Sequence, residues 1–447
     1  MTLWLVGTLG VCTGGGSLFV HVISCSCLRS SCFRQVNLHS YRHLRTPRKG
    51  PYYYCSHRNR LCHKLPWFLP FGNYRLTHTR HIVGTHSVAD ILSNTLFQRV
   101  VMNDRGLLNT FSRSPLDRLN NHRNQASLLE ECENSSQVRY IIFYHREPLL
   151  KVVTEQAPSE KEPFVKEQAH IAWFTREHGL VEEILAKGGQ ALLLGKWTSV
   201  KHAILSDENV SSDIYDKYCF VLDATGIWNS DQISQIGAQP MNIRSLLYKI
   251  QFDPQEAAVL AHAQSLLEFH VRHQYCGKCG ALTELGGLGS KRVCSAGCGM
   301  EWFPRSDPVI IVAVVKNGHL LMGRQPSWPL GRYSVIAGFM EHGESIEDAI
   351  YREVKEETFI QVGRCRYHSS QPWPFPYSLM LGFVAEASSQ TIQVDKQELD
   401  DAKWFSREQV QQMLSNRDPN GLRGPPPQSI AYELCHAFVN GDEICNF

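Results

Sequence analysis

The stretch Gly338-Phe339-Met340-Glu341-His342-Gly343-Glu344-Ser345-Ile346-Glu347-Asp348-Ala349-Ile350-Tyr351-Arg352-Glu353-Val354-Lys355-Glu356-Glu357-Thr358-Phe359-Ile360 decides the fold. Ser345 is suited to cap a helix running to about Thr358, with acidic Glu347 and Asp348 in its first turn. At ~100° per residue, Ile346 and Ile350 share a stripe that continues as Glu353 and Glu357, with Glu356 at its edge. A core-facing stripe therefore turns from apolar to acidic halfway along. A charge run is usually a solvated face, but that reading puts the acids opposite the isoleucines. Unpaired carboxylates on the inward side cost on the order of several kcal/mol. A divalent cation removes that cost, and oxygen-only ligands point to Mg²⁺ or Mn²⁺, which also bind phosphate oxygens.

Working outward, Val309-Ile-Ile-Val-Ala-Val-Val315 reads as a buried strand, and Asn317-Gly318 turns it into His319-Leu-Leu-Met322 as a hairpin. Strand and helix signals alternate to about Phe405, so residues 306–447 are expected to form a mixed α/β domain. Upstream, Asp253-Pro254 opens a helix with Ala257, Leu260, Ala263, Leu266 and Leu267 at helical spacing. It leads into Cys276-Gly-Lys-Cys279 and Cys294-Ser-Ala-Gly-Cys298, two knuckles each followed by glycine, Gly280 and Gly299. Glycine permits the tight turn that aims amides at sulfurs, and four thiolates suit a tetrahedral, structural Zn²⁺ with no open position. Four thiols packed as small apolar groups are the competing reading. Residues 249–305 are thus expected to be a helix and zinc ribbon. The apolar runs Tyr140–Tyr144, Gln190–Gly195 and Tyr218–Asp223 predict strands of a smaller α+β domain over 136–248, which carries no nameable chemistry.

The 447 residues suffice for two or three domains, and a net charge of +2 argues against a surface built wholly for nucleic acid. The average hides an asymmetry: no Asp or Glu precedes Asp90, whereas eleven Lys or Arg do. An Arg-rich, acid-free leader over 1–80 resembles a mitochondrial transit segment without a fold of its own, and 81–135 reads as a linker with a helix near Val88–Val101. The opening apolar run lacks the basic residue of a secretory signal and is too interrupted to span a membrane. Of the 15 cysteines, four cluster between Cys276 and Cys298, which favours a metal over a disulfide framework.

The quoted stretch resembles the Nudix box, G-x5-E-x7-R-E-U-x-E-E-x-G-U with U aliphatic, at Gly338, Glu344, Arg352, Glu353, Val354, Glu356, Glu357 and Ile360. It departs at Phe359, where the box has glycine. Glycine there ends the helix at positive φ, a conformation that costs a Phe about 1 kcal/mol or more unless the helix end shifts. The resemblance implies an α/β/α sandwich around a mixed sheet. It also implies metal binding and water activation by Glu353, Glu356 and Glu357, with Arg352 orienting a carboxylate such as Glu344. Ser370-Gln371-Pro372-Trp373-Pro374-Phe375-Pro376-Tyr377-Ser378 is similar to the SQPWPFPxS signature of NADH pyrophosphatases. Its prolines and aromatics suit a stiff, extended stacking wall, or the entry of an edge strand with core aromatics.

Carried over from that subfamily, Gln371, Pro372, Trp373, Pro374, Phe375, Pro376, Tyr377 and Ser378 contact the dinucleotide, joined by Phe303, Phe339 and Ala431. Glu398 and the Ala337 carbonyl complete the metal shell. Among eukaryotic members the likeness is to the mitochondrial NAD(P)H pyrophosphatases, since neither ankyrin repeats nor a peroxisomal tripeptide is present. The implied reaction hydrolyses the pyrophosphate bond of NAD(P)H-type dinucleotides to AMP, or its 2′-phosphate, and nicotinamide mononucleotide. The implied assembly is a homodimer away from membranes. Removal of NAD caps from RNA 5′ ends, or a weakly catalytic dinucleotide sensor, are the alternatives.

Overall fold

The computed structural model describes residues 109–155, 166–198 and 214–447. The expected leader, the helix near Val88–Val101 and the first part of the expected linker lie outside the described residues. Short apolar runs build the first sheet: β1 (Leu116–Asp117), β2 (Val138–Tyr144), β3 (Glu147–Glu155), β4 (Lys166–Ile171), β5 (Leu192–Trp197), β6 (Tyr218–Asp223), β7 (Gln239–Pro240) and β8 (Gln251–Phe252). Their order is β1-β5-β6-β2-β3-β4-β8, with β7 on β3. Four short helices accompany them: α1 (Ala126–Asn134), α2 (Gly179–Ala186), α3 (Ser230–Ser234) and α4 (Ile243–Leu246).

Strand alternation divides the core of this layer. Tyr140 and Ile142 pack with Leu128 of α1 and with Val181 and Ile184 of α2. Ile141 and Phe143 face the other way, onto Ala257, Leu260 and Phe269 of α5 (Pro254–Arg272). Asp253 caps α5 by accepting from the amides of Gln255 and Glu256, and Pro254 opens its first turn. A three-stranded ribbon follows, β9 (Thr283–Gly286), β10 (Lys291–Cys294) and β11 (Glu301–Trp302), antiparallel in the order β11-β10-β9.

The second large sheet comprises β12 (Asp307–Lys316), β13 (His319–Arg324), β14 (Ile336–Phe339), β15 (Val362–Trp373), β16 (Ser378–Ala387) and β17 (Asp401–Ser406). It runs β15-β16-β12-β13-β17 with β14 also on β12, and it is mixed because β12 and β16 are parallel. The run read as a buried strand is apolar at every position because both faces are covered. Ile310, Val312 and Val314 pack on Ala349, Ile350 and Val354 of α6 (Ile346–Thr358). Ile311, Ala313 and Val315 pack on α7 (Arg407–Leu414) and α8 (Ile430–Asn440). The result is the expected helix–sheet–helix sandwich. Asn317 and Gly318 both hold positive φ, the requirement of the two-residue turn between β12 and β13.

The expected linker is a correction in its second half. From Asn109 onward it belongs to the fold. Leu116 pairs with Trp197, α1 supplies Leu128 and Cys132 to the core, and the Asn109 amide donates to Ser369 Oγ and to the Ser370 carbonyl. A two-residue strand is too short to display a period, so the sequence carried no signal for it. Among the described residues no helix is long and apolar enough to cross a membrane.

Candidate functional site

Helix α6 presents the carboxylates. Ser345 Oγ accepts from the Asp348 amide at 3.1 Å while Asp348 accepts from the Ser345 amide at 3.3 Å, a capping box that fixes where the helix starts. Ile350 and Val354 seat it on β12, so one turn on, Glu353 and Glu357 also point inward, 8% and 5% exposed. Glu398 is exposed and reaches them from the segment before β17. That segment is tied to the helix end by the Asp395 amide, which donates to the Glu357 carbonyl at 3.1 Å. One carboxylate oxygen from each of Glu353, Glu357 and Glu398 lies within 4.8 Å of the others.

Burial, then the charges of Glu353 and Glu398, push the Glu357 carboxyl up to about 8. Burial raises Glu353 as well, against the pull of Arg352. Three converging oxygens at a buried position fit a hard divalent cation such as Mg²⁺ or Mn²⁺. Gly338 shows how tightly the cradle is drawn: a Cβ there would collide with the Glu353 carboxyl group. The box glycine is therefore set by the close approach of a carboxylate.

Arg352 organises the rest. Its Nε and Nη2 donate to the two oxygens of Glu344 at 2.6 and 2.9 Å. Its Nη1 donates to Glu353 and to Glu356 at 2.9 and 3.0 Å, and its Nη2 also reaches the Phe339 carbonyl. The guanidinium, helped by the Glu341 amide, holds the Glu344 carboxyl down to about 2. Glu356 stays exposed, on the solvent side of the cluster.

A cavity of about 270 Å³ opens beside Glu357 and is lined by Ala337, Gln371, Trp373 and Ala431 among the expected residues. Trp328, Arg332, Arg244 and Tyr248 also stand on the wall, and among the described residues Glu357 is the sole acid lining it. The proline–aromatic string is not an extended wall throughout, which corrects the expectation. Strand β15 ends at Trp373, residues 374–377 turn, and β16 begins at Ser378. Proline has no N–H for the ladder, so the strand cannot continue through Pro374 and Pro376. Trp373 and Phe375 sit edge-on to each other and to Phe111, packed against the first layer's core. Pro374 and Tyr377 are buried, and the guanidiniums of Arg272 and Arg305 lie 5.9 and 5.8 Å from the centre of the Tyr377 ring.

The Gln371 amide is fully engaged by backbone. It donates to the carbonyls of Thr110 and Gln428 and accepts from the Ile430 amide. Pro372 and Ser378 line a different cavity, to which Trp373 also contributes. Phe303 and Phe339 are 62% and 58% exposed and do not line the cavity beside Glu357.

The four ribbon cysteines converge, each offering a sulfur within 4.8 Å of the others. Cys276 lies 3.6 Å from Cys298 and Cys279 lies 3.5 Å from Cys294, sulfur to sulfur. A tetrahedron with metal–sulfur bonds of ~2.3 Å has edges of about 3.8 Å, so the cluster fits Zn²⁺ with every position filled by protein. The Lys278 amide leads in holding the Cys276 thiol down to about 6. Gly280 and Gly299 both have φ of 76°, as knuckle turns require.

Sequence reasoning missed Arg332, Tyr248, Arg244 and Trp328. The aromatic–basic content of Trp328-Pro-Leu-Gly-Arg332 was a signal, but no spacing tied Tyr248 or Arg244 to it.

The NUDIX domain model matches residues 304–423. The NAD-capped RNA hydrolase NUDT12 of Macaca fascicularis is 33% identical over 351 residues, covering 74% of this chain and 73% of its own. The mitochondrial NAD(P)H pyrophosphatase NUDT13 of Homo sapiens is 29% identical over 322 residues, covering 69% of this chain and 87% of its own. The NAD-capped RNA hydrolase NudC of Stutzerimonas stutzeri is 36% identical over 203 residues, covering 45% and 68%.

Proposed function

This chain belongs to the Nudix hydrolases, enzymes that act on pyrophosphate bonds, and on that premise we propose that it hydrolyses NAD(P)H-type dinucleotides to AMP, or its 2′-phosphate, and nicotinamide mononucleotide. One observation carries the reading: the inward carboxylates of Glu353 and Glu357 meet Glu398, and Glu357 lines a cavity whose wall also contains Trp373. Glu353, Glu357 and Glu398, with the Ala337 carbonyl, are the residues that would hold Mg²⁺ or Mn²⁺. When bound, such a cation supplies Lewis acidity toward the pyrophosphate oxygens and eases deprotonation of the attacking water.

The chain's own side chains do the rest. Glu356, exposed beside the cluster, accepts the proton of the attacking water. Arg352 fixes Glu344, Glu353 and Glu356 in one hydrogen-bonded array, so the acids are positioned before substrate arrives. Trp373 offers a ring face to a base. Gln371 acts as a positioning residue, because its polar atoms are already bonded to backbone. Zn²⁺ in the cysteine cluster is structural. The mitochondrial assignment rests on the Arg-rich leader and on the similarity to the mitochondrial pyrophosphatase NUDT13. A homodimer rests on the resemblance alone.

A second reading, removal of NAD caps from RNA, draws support from two neighbouring cavities that share Arg118 and His262. Arg113, Arg118, Arg123, His262 and Lys291 line them, no acid among the described residues does, and Trp373 stands at one end. Such a lining suits backbone phosphates. The test measures hydrolysis of NADH and of NAD-capped RNA by the full chain and by Glu357→Gln. The expected result is loss of about 10²-fold or more in kcat in the variant. Equal activity of the two proteins ends the catalytic assignment. The larger wild-type kcat/KM identifies the substrate.

A further inference from the structure

The catalytic cavity carries positive charge that the hydrolysis described above does not use. Arg332 lies on its wall, with its guanidinium stacked over the Tyr248 ring at 4.3 Å from the centroid. The Arg332 Nε is buried and, among the described residues, has no hydrogen-bond partner. Among the described residues the guanidinium pairs with no carboxylate, not even with Glu357, the one acid among them that lines the cavity. Arg244 reaches the same cavity from α4, its guanidinium 5.9 Å from the centre of the Phe375 ring. Tyr248 and Arg244 both come from the first layer, the part of the chain for which the sequence named no chemistry.

A buried donor without a partner is costly to keep, and a guanidinium whose plane is fixed by stacking is a ready receptor for a phosphate, which its fork meets with paired N–H groups. The pyrophosphate of the substrate is matched by the cation that Glu353, Glu357 and Glu398 would hold. Arg332 therefore marks a second anionic position in the cavity, apart from the carboxylates.

We propose that Arg332, assisted by Arg244, receives a third phosphate carried on the adenosine ribose of the substrate, and so selects dinucleotides that bear one. This rests on the dinucleotide reading above. Two kinds of substrate have such a group: the 2′-phosphate of NADP(H), and the 3′-phosphodiester that joins an NAD cap to RNA. The nicotinamide half carries no additional phosphate in either. The first layer thereby becomes part of the specificity apparatus, because Tyr248 sets the plane of the Arg332 guanidinium.

The test is calorimetric titration of the full chain with three probes: AMP, adenosine 2′,5′-bisphosphate and adenosine 3′,5′-bisphosphate. The readout is binding, independent of turnover. The expected result is that one bisphosphate binds about ten-fold or more tightly than AMP, and that Arg332→Ala removes this advantage. Preference for the 2′ isomer identifies the NADP(H)-type source, and preference for the 3′ isomer identifies the capped-RNA source. Arg332→Lys restores the advantage in part, since it returns the charge without the fork. If Arg332→Ala does not fold, Arg244→Ala, at an exposed position, is expected to reduce the same ratio. Equal binding of all three probes by the wild type, or an undiminished ratio in the variants, overturns the proposal even where NADH is hydrolysed. A wild type that binds none of the probes and cleaves no dinucleotide overturns the dinucleotide reading and this proposal together.

Discussion

Phe359 holds φ 62° and ψ 6°, the left-handed conformation in which the Nudix box places glycine, and its amide still closes the helix on the Lys355 carbonyl at 2.8 Å. The helix end has not shifted; the side chain has been accommodated at a backbone cost. Phe359 is 54% exposed and gives little packing in return. Phe359→Gly is therefore expected to raise stability by up to about 1 kcal/mol in denaturant melts, with Mg²⁺ affinity unchanged. A loss of stability contradicts the strain argument. At Glu357 the relevant quantity is the proton. Its carboxyl, pushed up to about 8 by burial, stays mostly protonated below that pH in the folded, cation-free chain, whereas in the unfolded chain it ionises above about 4.3. The raised pKa of an acid removes stability as pH climbs between those two values. A bound cation must displace that proton, so the Mg²⁺-induced rise in Tm is expected to be larger at pH 8 than at pH 6. Equal rises would deny the coupling. At this scale the acids were legible, because i, i+4 spacing places Glu353 and Glu357 on the isoleucine stripe. Arg332 was not, because what singles it out is a missing partner, which no local pattern reports.

Helix α6 and strand β14 form the working pair of elements. Their contact is closest where the Glu353 carboxyl lies against Gly338, leaving no room for a Cβ. Gly338→Ala is expected to push that carboxylate aside and weaken Mg²⁺ binding by about 10- to 100-fold, the scale on which supporting groups act, while far-UV circular dichroism stays native. Unaltered affinity means that the glycine serves only the strand. Elements with strong local signals were read correctly: the Ser345 cap, the Asp253-Pro254 helix start and the Asn317-Gly318 turn each follow from residues adjacent in sequence. Two others were not. The β1 strand is held by its partner β5 and has no pattern of its own. The proline–aromatic string was read as an extended wall or the entry of an edge strand. Only the part to Trp373 is strand, because Pro374 and Pro376 lack the N–H for the ladder and the chain turns there.

Across the whole molecule, the two large layers meet at Gln371. Its amide links Thr110 of the first layer's leading segment to Gln428 and Ile430 at the start of α8, and the Gln428 side chain in turn donates to the Leu247 and Ile250 carbonyls. Gln371→Ala would leave these backbone groups without their partner. It is expected to lower stability by about 2 to 4 kcal/mol, measured as a fall in the denaturation midpoint. A change below about 0.5 kcal/mol would show that water takes the place of the amide. The mixed sheet and its two covered faces could be anticipated from the box and from the unbroken apolar run of β12. The closure of the cavity beside Glu357 by the first layer could not, since Arg244 and Tyr248 reach it from a part of the chain far from Arg332 in sequence.

The central claim is that carboxylates turned toward the protein interior hold a divalent cation. Electron paramagnetic resonance titration of Mn²⁺ into the full chain and into Glu357→Gln tests it most directly. The account predicts saturable binding in the wild type and a loss of about 10-fold or more in the variant, at unchanged secondary structure. Identical Mn²⁺ binding by the two proteins would contradict it.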